Sequence, residues 1–408
     1  MQLIGPFSQL LTMDRLPLKG PLADQDLAII SHGGVVHDQG KVYAIGDFQK
    51  LQSQYPQAQV EYLKGDNVGM PGLIDAHTHI CHAGSRAQDY SMRIGGKSYL
   101  EIAKEGGGIW RSVTATRNAS EEVLTSHILK RARRMIAQGV TTIEVKSGYG
   151  LSVASELRML RAIRSAQETY PIFIPTCLAA HIPPKDHTGS ASSYLKEIQE
   201  ELWPILLQEG LTKRMDIFVE EGAFSVEEAR VYLKAAQIAG FDLTLHVDQF
   251  HPGSSLLAVE LQALSADHLE ASGTREIQAL AQSDVVAVTL PGASLGLGDR
   301  FTPARKLLDA GASLAIASDW NPGSAPMGQL LLQAALLSVY EKLSTAETLA
   351  GLTVRAAGAL NLQDRGKLAP DCRADIIAFP VDDYREILYQ QGSLLPHRIW
   401  MRGQFFST

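Results

Sequence analysis

Cysteine is scarce in this sequence, and its distribution excludes a disulfide-stabilised fold. The chain has 408 residues and only three cysteines, Cys81, Cys177 and Cys372. They are odd in number, lie far apart and form no Cys-x-x-Cys pair, so no disulfide framework is indicated. Because such a composition is typical of a reducing compartment, we expect a cytoplasmic protein.

Long hydrophobic runs and an excess of positive charge are also absent. The longest apolar stretch, LLLQAALLSVY at Leu330–Tyr340, is too short to span a bilayer. The first residues, MQLIGPFSQLLTMDR, lack a basic start followed by a long apolar core, so we expect no secretory signal. The formal net charge is −7, which gives no indication of a nucleic-acid or anionic-membrane partner. We therefore expect neither a nucleic acid nor a membrane to be the partner.

The chain does contain an alternation of short apolar runs and amphipathic helical segments, with 45% hydrophobic residues overall. The eight apolar runs are LIDAHTHI from Leu73, TTIEVKSGYG from Thr141, IFIPTCLAAH from Ile172, DIFVEEG from Asp216, LTLHVDQF from Leu243, ALSADHLE from Ala263, VVAVTLPG from Val285 and SLAIASDWNPG from Ser313. Such runs between helices predict a parallel sheet covered on both faces. Eight units predict an α/β protein with a (β/α)8 barrel. An open doubly wound sheet is the alternative, but no Gly-rich phosphate-binding fingerprint follows the first run.

The two ends of the chain have a different pattern from the middle. Residues 1–67 are rich in turns and in short alternating segments such as KVYAIGDF, and residues 361–408 contain similar segments, ADIIAFPV and HRIWMRGQFF. Both ends are therefore expected to be β-rich. We predict one small β-sandwich built from 1–67 and 361–408, attached to a barrel over 68–360.

Polar side chains that can bind a metal collect at the ends of the predicted strands. In LIDAHTHICHAGSR, His77 and His79 are two residues apart, so on a strand both imidazoles point to the same face. In a barrel, the carboxyl ends of all strands meet at one rim, where catalytic side chains gather. The polar residues predicted at this rim are His77, His79, Lys146, Tyr149, His181, Glu220, Glu221, His246, Asp248, Gln249, Asp267, His268 and Asp319.

Four of these residues form the best candidate ligand set for a metal. His77, His79, His246 and Asp319 offer three imidazoles and a carboxylate, which suits Zn²⁺, or Fe²⁺ as a second choice, and leaves a position open for water. His82, in the loop just beyond, is interpreted as a solvated or packing residue. A lone histidine is usually a satisfied core residue, but several strands that each deliver a His or Asp to one rim indicate a site.

This pattern resembles the amidohydrolase superfamily, which has His-x-His after the first strand, a histidine on the fifth and sixth strands and an aspartate on the eighth. Within it, the chain resembles the imidazolonepropionase family. The segments that carry this resemblance are HTHICHAGSR, GKSYLEIAKEGGGI, TTIEVKSGYGLS, LAAHIPP, HVDQFHPGSS, ALSADHLE, VVAVTLPG and ASDWNPGSAP. VKSGYG and Asp-x-Asn-Pro-Gly are more specific than His-x-His. The resemblance implies hydrolysis of the ring amide of 4-imidazolone-5-propanoate to N-formimidoyl-L-glutamate in histidine degradation, one Zn²⁺ or Fe ion per subunit, and a homodimer.

The resemblance also assigns site residues. It places the metal on the four ligands above, and the substrate on Arg86, Tyr149, His181, Gln249, Asn321, Gly323 and Ser324. Arg86 offers a planar fork suited to the propionate carboxylate. Some family members have Glu where this chain has Gln249; glutamine cannot accept a proton, so Gln249 can only orient substrate. Asp319 is then the expected base, with His268 as runner-up or as the group that stabilises the oxyanion.

Alternatives remain open at this point. Lys146 could be carbamylated to bridge two metals, although a single metal is favoured. The nearest rival function is another amidohydrolase, such as a deaminase of a heterocyclic amine. It would share the ligands, but a neutral base needs no carboxylate clamp such as Arg86. A non-catalytic scaffold is a remote alternative, since degenerate members lose ligands and this chain retains all four. The native metal and the true proton acceptor stay undecided.

Overall fold

The computed structural model describes residues 1–97, 101 and 105–407. The GKSYLEIAKEGGGI motif therefore lies partly outside the described residues, at positions 98–100 and 102–104. The described strands form two eight-stranded sheets. Their bounds are β1 Gln2–Leu11, β2 Ile29–Asp38, β3 Lys41–Asp47, β4 Gln59–Tyr62, β5 Val68–Pro71, β6 Leu73–Asp75, β7 Val140–Lys146, β8 Phe173–Ala180, β9 Arg214–Phe218, β10 Asp242–Val247, β11 Ser265–His268, β12 Val286–Thr289, β13 Ser313–Ile316, β14 Ile376–Phe379, β15 Arg398–Met401 and β16 Gln404–Phe405.

The second sheet is the predicted barrel. Its strands β6 to β13 lie side by side in chain order, and the pairs between them are parallel. All eight predicted strands are present, so the predicted fold class is confirmed. Regular pairing in β6 ends at Asp75, earlier than the run LIDAHTHI suggests. The segment nevertheless stays extended, because Thr78 forms a parallel bridge with Trp320, and the His79 N–H donates to the Trp320 carbonyl at 3.0 Å. This contact joins the first strand segment to the last.

Helices cover the barrel, as the amphipathic segments predict, and a further helix, Phe48–Gln54, packs against β2 and β3 of the first sheet. Their bounds are α1 Phe48–Gln54, α2 Ala87–Ile94, α3 Ile109–Arg117, α4 Glu121–Ile136, α5 Val153–Thr169, α6 Ala191–Glu197, α7 Trp203–Glu209, α8 Val226–Ile238, α9 Ser255–Glu260, α10 Thr274–Ala281, α11 Pro291–Leu297, α12 Ala304–Ala310, α13 Leu330–Glu341, α14 Thr345–Gly351, α15 Val354–Ala359 and α16 Glu386–Tyr389, with a π-helical turn at Ile198–Leu202 between α6 and α7 and a 3₁₀ turn at Asp24–Asp26.

Local sequence explains where these helices begin and end. Ser225 caps α8: its hydroxyl accepts from the Glu228 N–H, and the Glu228 carboxylate accepts from the Ser225 N–H, which together form a capping box. Gly311 follows α12 with φ of 100°, a left-handed conformation that ends a helix and that glycine adopts without strain. None of the helices in the described residues is long and apolar enough to cross a membrane.

The first sheet joins the two ends of the chain. Its order is β16-β15-β14-β5-β1-β2-β3, and β4 pairs with β1. Strand β14, from the C-terminal part, pairs antiparallel with β5 from the N-terminal part, with Ile377 opposite Met70. Buried side chains of both parts, including Ile4, Phe7, Ile376 and Trp400, pack into one cluster. A sandwich-like unit built from both termini is therefore confirmed.

Candidate active site at the carboxyl ends of the barrel strands

Three histidines from opposite sides of the barrel meet at its centre. His77 and His79 follow β6, and His246 lies on β10. The Nε2 atom of His79 lies 3.2 Å from Nε2 of His77 and 3.3 Å from Nε2 of His246. The Oδ1 atom of Asp319, after β13, lies 3.4 Å from His79 Nε2 and 3.6 Å from His77 Nε2. All four residues are at most 3% exposed. The fold thus brings together the four predicted ligands.

The spacing of these atoms fits a metal ion. Two nitrogens bound at about 2.0–2.1 Å to one tetrahedral zinc lie roughly 3.3 Å apart, and the two Nε2 separations are 3.2 and 3.3 Å. The donor atoms of His77, His79 and His246 all lie within 4.8 Å of one another. A carboxylate oxygen and imidazole nitrogens are the donors that Zn²⁺ and Fe²⁺ accept. The residues present therefore fit a divalent ion.

Carboxylates from neighbouring strands orient two of the imidazoles. Asp267 on β11 lies 2.6 Å from His77 Nδ1, and Asp216 on β9 lies 3.0 Å from His246 Nδ1. A carboxylate at Nδ1 keeps the proton on that nitrogen and leaves the Nε2 lone pair free for a metal. Burial lowers the pKa of His246 to about 4, although Asp216 opposes the shift. Burial also lowers the pKa of His77 well below its ordinary value. Both rings are therefore neutral at neutral pH, as ligation requires.

Lys146 connects these two carboxylates. Its Nζ lies 2.8 Å from Asp216 Oδ2, 2.8 Å from Glu144 Oε1 and 3.6 Å from Asp267 Oδ2, and its side chain is 0% exposed. Although burial alone would lower the pKa of Lys146, the negative charges of Asp216, Glu144 and Asp267 raise it overall. The side chain is therefore a charged ammonium ion inside the barrel, which offsets part of the negative charge of the carboxylates that hold His77 and His246.

Two predicted substrate residues lie beside this cluster on the side of β7 and β8. The ring of His181 stacks on that of His79, with centroids 5.5 Å apart and an interplanar angle of 19°. The ring of Tyr149 lies 5.4 Å from that of His181. His181 Nδ1 lies 3.0 Å from the Gly148 carbonyl, to which it donates. Burial, with smaller contributions from His79 and His246, lowers the pKa of His181 to about 3, so the ring is neutral.

The loop that carries Tyr149 is held by a buried carboxylate. Glu156, on α5, accepts hydrogen bonds from the backbone N–H groups of Gly148, Gly150 and Leu151 at 3.0, 2.7 and 2.8 Å. Three such bonds fix the backbone on both sides of Tyr149. The loop is therefore set before any ligand binds.

The Asn-Pro-Gly-Ser turn after β13 links the ligand Asp319 to Arg86. Asn321 Nδ2 donates to Asp319 Oδ2 at 2.8 Å, and Asn321 Oδ1 accepts from the N–H groups of Gly323 and Ser324 at 2.7 and 2.8 Å. Gly323 lies against the Arg86 guanidinium, where a Cβ atom would collide with Arg86 Nη1. The absence of a side chain at Gly323 thus lets Arg86 approach the turn.

Arg86 is positioned from its other side by Asp89. Arg86 Nε donates to Asp89 Oδ2 at 2.9 Å, and the same oxygen accepts from the Gly108 N–H at 2.7 Å. The Arg86 side chain is 10% exposed. A guanidinium held by one carboxylate through Nε retains its Nη groups for a second acidic group. The loop after β6 therefore presents an oriented cation close to the turn that carries Asp319.

His268 lies next to the imidazole cluster. Its ring is 5.4 Å from that of His246 and 5.9 Å from that of His77. Burial alone would lower the pKa of His268, but Glu270 and Asp319 raise it overall. Its Nδ1 lies 3.5 Å from Glu270 Oε1. His268 is thus a histidine poised to carry a proton beside the candidate metal centre.

Gln249 and His82 are related to the cluster less directly. Gln249 follows β10 by two residues and is half-buried, and no hydrogen bond joins its side chain to another described residue. Its assignment stays a prediction. His82 is 5% exposed, with Nδ1 3.4 Å from Arg131 Nη2. The sequence predicts that His82 is either solvated or packed, and its burial shows that it is packed.

Sequence reasoning missed the residues that support the site. It named neither Asp216 nor Glu144 as the partners of His246 and Lys146, and it missed Asp89 and Glu156. A signal did exist for Asp216 and Glu144: each is a carboxylate inside a short strand that is predicted to be buried, and buried charges are paired. The partner of each carboxylate depends on which strands lie next to each other, and the sequence alone does not give that order.

Comparison with known protein families places the barrel among the amidohydrolases. The amidohydrolase family model matches residues 68–403. Among curated proteins, imidazolonepropionase of Deinococcus deserti is 45% identical over 335 residues, which cover 82% of this chain and 83% of that protein. Imidazolonepropionase of Herpetosiphon aurantiacus is 38% identical over 405 residues, 96% of this chain and 94% of that protein. That of Deinococcus radiodurans is 41% identical and covers 97% of both.

Solved structures resemble this one in fold. A triazine hydrolase from Arthrobacter aurescens matches with a TM-score of 0.72 at 17% identity, over 99% of this chain and 94% of that one. An adenosine deaminase from Xanthomonas campestris with bound zinc matches with a TM-score of 0.69 at 17% identity, over 99% and 92%. At this identity the likeness shows the two-part architecture and the barrel. It does not determine the chemistry, which depends on the residues described above.

Proposed function

Because the chain belongs to the imidazolonepropionase family of the amidohydrolases, we propose that it hydrolyses the ring amide C–N bond of 4-imidazolone-5-propanoate. The product is N-formimidoyl-L-glutamate, and the reaction is a step of histidine degradation. The observation that carries this proposal is the connection from the ligand Asp319 through Asn321 and Gly323 to Arg86. It supports a role for Arg86 as a carboxylate-binding cation beside a hydrolytic centre.

His77, His79, His246 and Asp319 would hold one Zn²⁺ or Fe ion per chain. A bound ion of this kind supplies Lewis-acid chemistry: it polarises a carbonyl and lowers the pKa of water to about 7. The presence of a single metal is supported by Lys146, whose ammonium group is surrounded by three carboxylates. A charged amine has no lone pair with which to form a carbamate, so the bridging role considered for Lys146 is disfavoured.

Arg86 would bind the propionate of the substrate. Its guanidinium can form two parallel hydrogen bonds with a carboxylate, which fixes both distance and orientation. Asp89 holds Arg86 through Nε at 2.9 Å, so little side-chain entropy remains to be lost on binding. With the propionate held there, the imidazolone ring would extend toward the histidine cluster.

Tyr149 and His181 would bind the ring. His181 uses Nδ1 to donate to the Gly148 carbonyl, which leaves Nε2 as a hydrogen-bond acceptor for a ring N–H. The Tyr149 hydroxyl can donate or accept, and burial raises its pKa, so it stays protonated. Asn321, Gly323 and Ser324 would contact the substrate from the turn after β13, and Gln249 would add a hydrogen bond that orients the ring.

Proton transfer would involve Asp319 and His268. Although burial alone would raise the pKa of Asp319, its neighbours His79, His268 and His246 lower it overall, so the carboxylate is ionised and can accept a proton. Asn321 holds Asp319 Oδ2, while Oδ1 faces the histidines. His268, whose pKa is raised, can carry a proton and stabilise the developing oxyanion. Gln249 cannot replace either residue as a base.

The alternatives considered for the chain predict different ligands. A heterocyclic amine deaminase would share the four metal ligands, and one of the fold neighbours is an adenosine deaminase. A neutral base, however, leaves Arg86 without a carboxylate to bind. A non-catalytic scaffold has no need for four buried donor residues at this spacing. We further expect a homodimer in the cytoplasm, which light scattering and cell fractionation would test.

The decisive experiment combines metal analysis with turnover. Purified protein is expected to contain close to one Zn or Fe per chain and to consume freshly generated imidazolone propionate, followed as loss of its ultraviolet absorbance. His246→Ala should lose the metal and the activity, whereas Arg86→Ala should retain the metal and lose turnover. Metal without turnover of this substrate would overturn the substrate assignment but not the hydrolase class. Absence of both would overturn the proposed function.

A further inference from the structure

A cavity borders the candidate site at Arg86. It measures about 670 Å³ and lies between the loop after β6, helices α2 and α4 and the turn after β13. It shares Arg86, Asn321 and Gly323 with the site described above, but none of the three metal-binding histidines lines it. Its volume is that of a small-molecule site, typically 300–1,000 Å³. The cavity thus borders the proposed carboxylate clamp and not the three histidines.

The walls of this cavity are cationic. Lys130, Arg131 and Arg134 of α4 contribute to the lining together with Arg86, and no carboxylate is among the described lining residues. Lys130 and Arg134 are four residues apart on one helix, so their charges lie on the same face and repel each other. Neither forms an ion pair with a described residue, and Arg134 instead stacks on Trp320, 5.0 Å from the ring centroid. The protein as a whole has a net charge of −7, so the positive potential is local.

Arg131 retains its charge in this wall without a carboxylate partner. Its Nη1 donates to the carbonyl groups of Ile80 and His82 at 2.7 and 2.9 Å. Burial lowers the pKa of Arg131 to about 10, which reflects the cost of keeping its charge there. Desolvation of an ion that lacks a counter-ion is unfavourable. A bound anion would supply the missing negative charge.

We propose that this cavity is an outer binding site for the carboxylate of small organic anions, which captures the anionic substrate and passes it to Arg86. The identity of that anion rests on the proposed function, whereas the anion-binding property rests on the cavity alone. A cleft with one sign of charge raises the local concentration of oppositely charged ligands and the rate of association. Arg86, which lines the cavity and is also the proposed carboxylate clamp, provides the transfer point.

The test compares two matched variants of α4. Lys130→Gln combined with Arg134→Gln removes two cations from the cavity. Arg133→Gln removes an exposed cation from the same helix at a residue that does not line the cavity. Glutarate, a small dicarboxylate, serves as the probe in calorimetric titrations at low salt. We expect the double variant to weaken glutarate binding by about fivefold or more, the scale of two exposed ion pairs, and Arg133→Gln to leave it unchanged.

A kinetic measurement tests whether the cavity charges also promote capture of the substrate. For imidazolone propionate, the double variant should lower kcat/KM, with kcat unchanged, and the difference should disappear at high ionic strength. Equal glutarate affinity in the wild type and both variants, or no glutarate binding to the wild type, would overturn the outer site. If glutarate binding follows the cavity charges but imidazolone propionate is not turned over, the proposed function fails while the anion site stands.

Discussion

Asp267 Oδ2 lies 2.6 Å from Nδ1 of His77, so a carboxylate of the sixth barrel strand holds a ligand of the first. The pair fixes both the tautomer and the direction of the imidazole. Such partners outside the ligand sphere typically contribute a factor of about 10–100 to metal affinity. We therefore expect Asp267→Asn to weaken Zn²⁺ binding by about that factor, measured by competition with a chelator. Asp242→Asn, at an exposed residue that begins β10, is the control and should have no effect.

Removal of the Lys146 charge should destabilise the barrel. Lys146→Met leaves Glu144, Asp216 and Asp267 without their common cation in a fully buried setting. The loss of one partner from a buried ion pair costs about 3–5 kcal/mol, and urea unfolding at pH 7 measures it. Lys196→Met, which removes an exposed pair with Glu200, should cost less than ~1 kcal/mol. Equal costs for the two variants would contradict the role of Lys146.

Replacement of Arg86 by lysine tests the shape of the carboxylate clamp. Arg86→Lys keeps the positive charge but loses the planar fork and the Nε contact with Asp89. Loss of one charge-assisted hydrogen bond costs ~1.5–3 kcal/mol, so kcat/KM for imidazolone propionate should fall by about 10- to 150-fold. A substrate analogue with an uncharged side chain is the control: both proteins should process it equally. A similar loss with both compounds would mean that Arg86 acts on the ring and not on the propionate.

The pKa of His251, two residues after Gln249, should lie above the ordinary histidine value. A hydrogen bond to Glu220, at 2.7 Å, and the charge of that carboxylate raise the pKa of His251 above 6.5. Because the folded pKa is raised, this pair contributes stability that is fully present below pH 6.5 and is lost as pH rises through the folded pKa. An NMR titration of the His251 ring measures the shift, and Glu220→Gln should return the pKa toward 6.5. An unchanged pKa in that variant would exclude Glu220 as the cause.

The sequence by itself determined the architecture and the inventory of the site. Apolar runs such as that from Leu243 and amphipathic segments such as α8 have periods that follow from local geometry, so eight strands and their helices could be predicted without coordinates. The β-rich pattern of the two ends was equally local. The predicted family is confirmed by relatives 38–45% identical over most of the chain. The domain bounds at 67 and 360 and the role of Gln249 stay predictions.

Only the tertiary structure decided which polar residues pair. Asp216 meets His246 across 30 positions of sequence, and Asp267 meets His77 across 190. The same is true of Lys146, which contacts carboxylates on three strands, and of the cationic cavity, whose walls come from two loops and two helices. Periodicity reports the face on which a side chain lies, but not the neighbour that it meets there. That neighbour depends on the register and closure of the barrel, and a buried charge finds its counter-ion only after the whole sheet has formed.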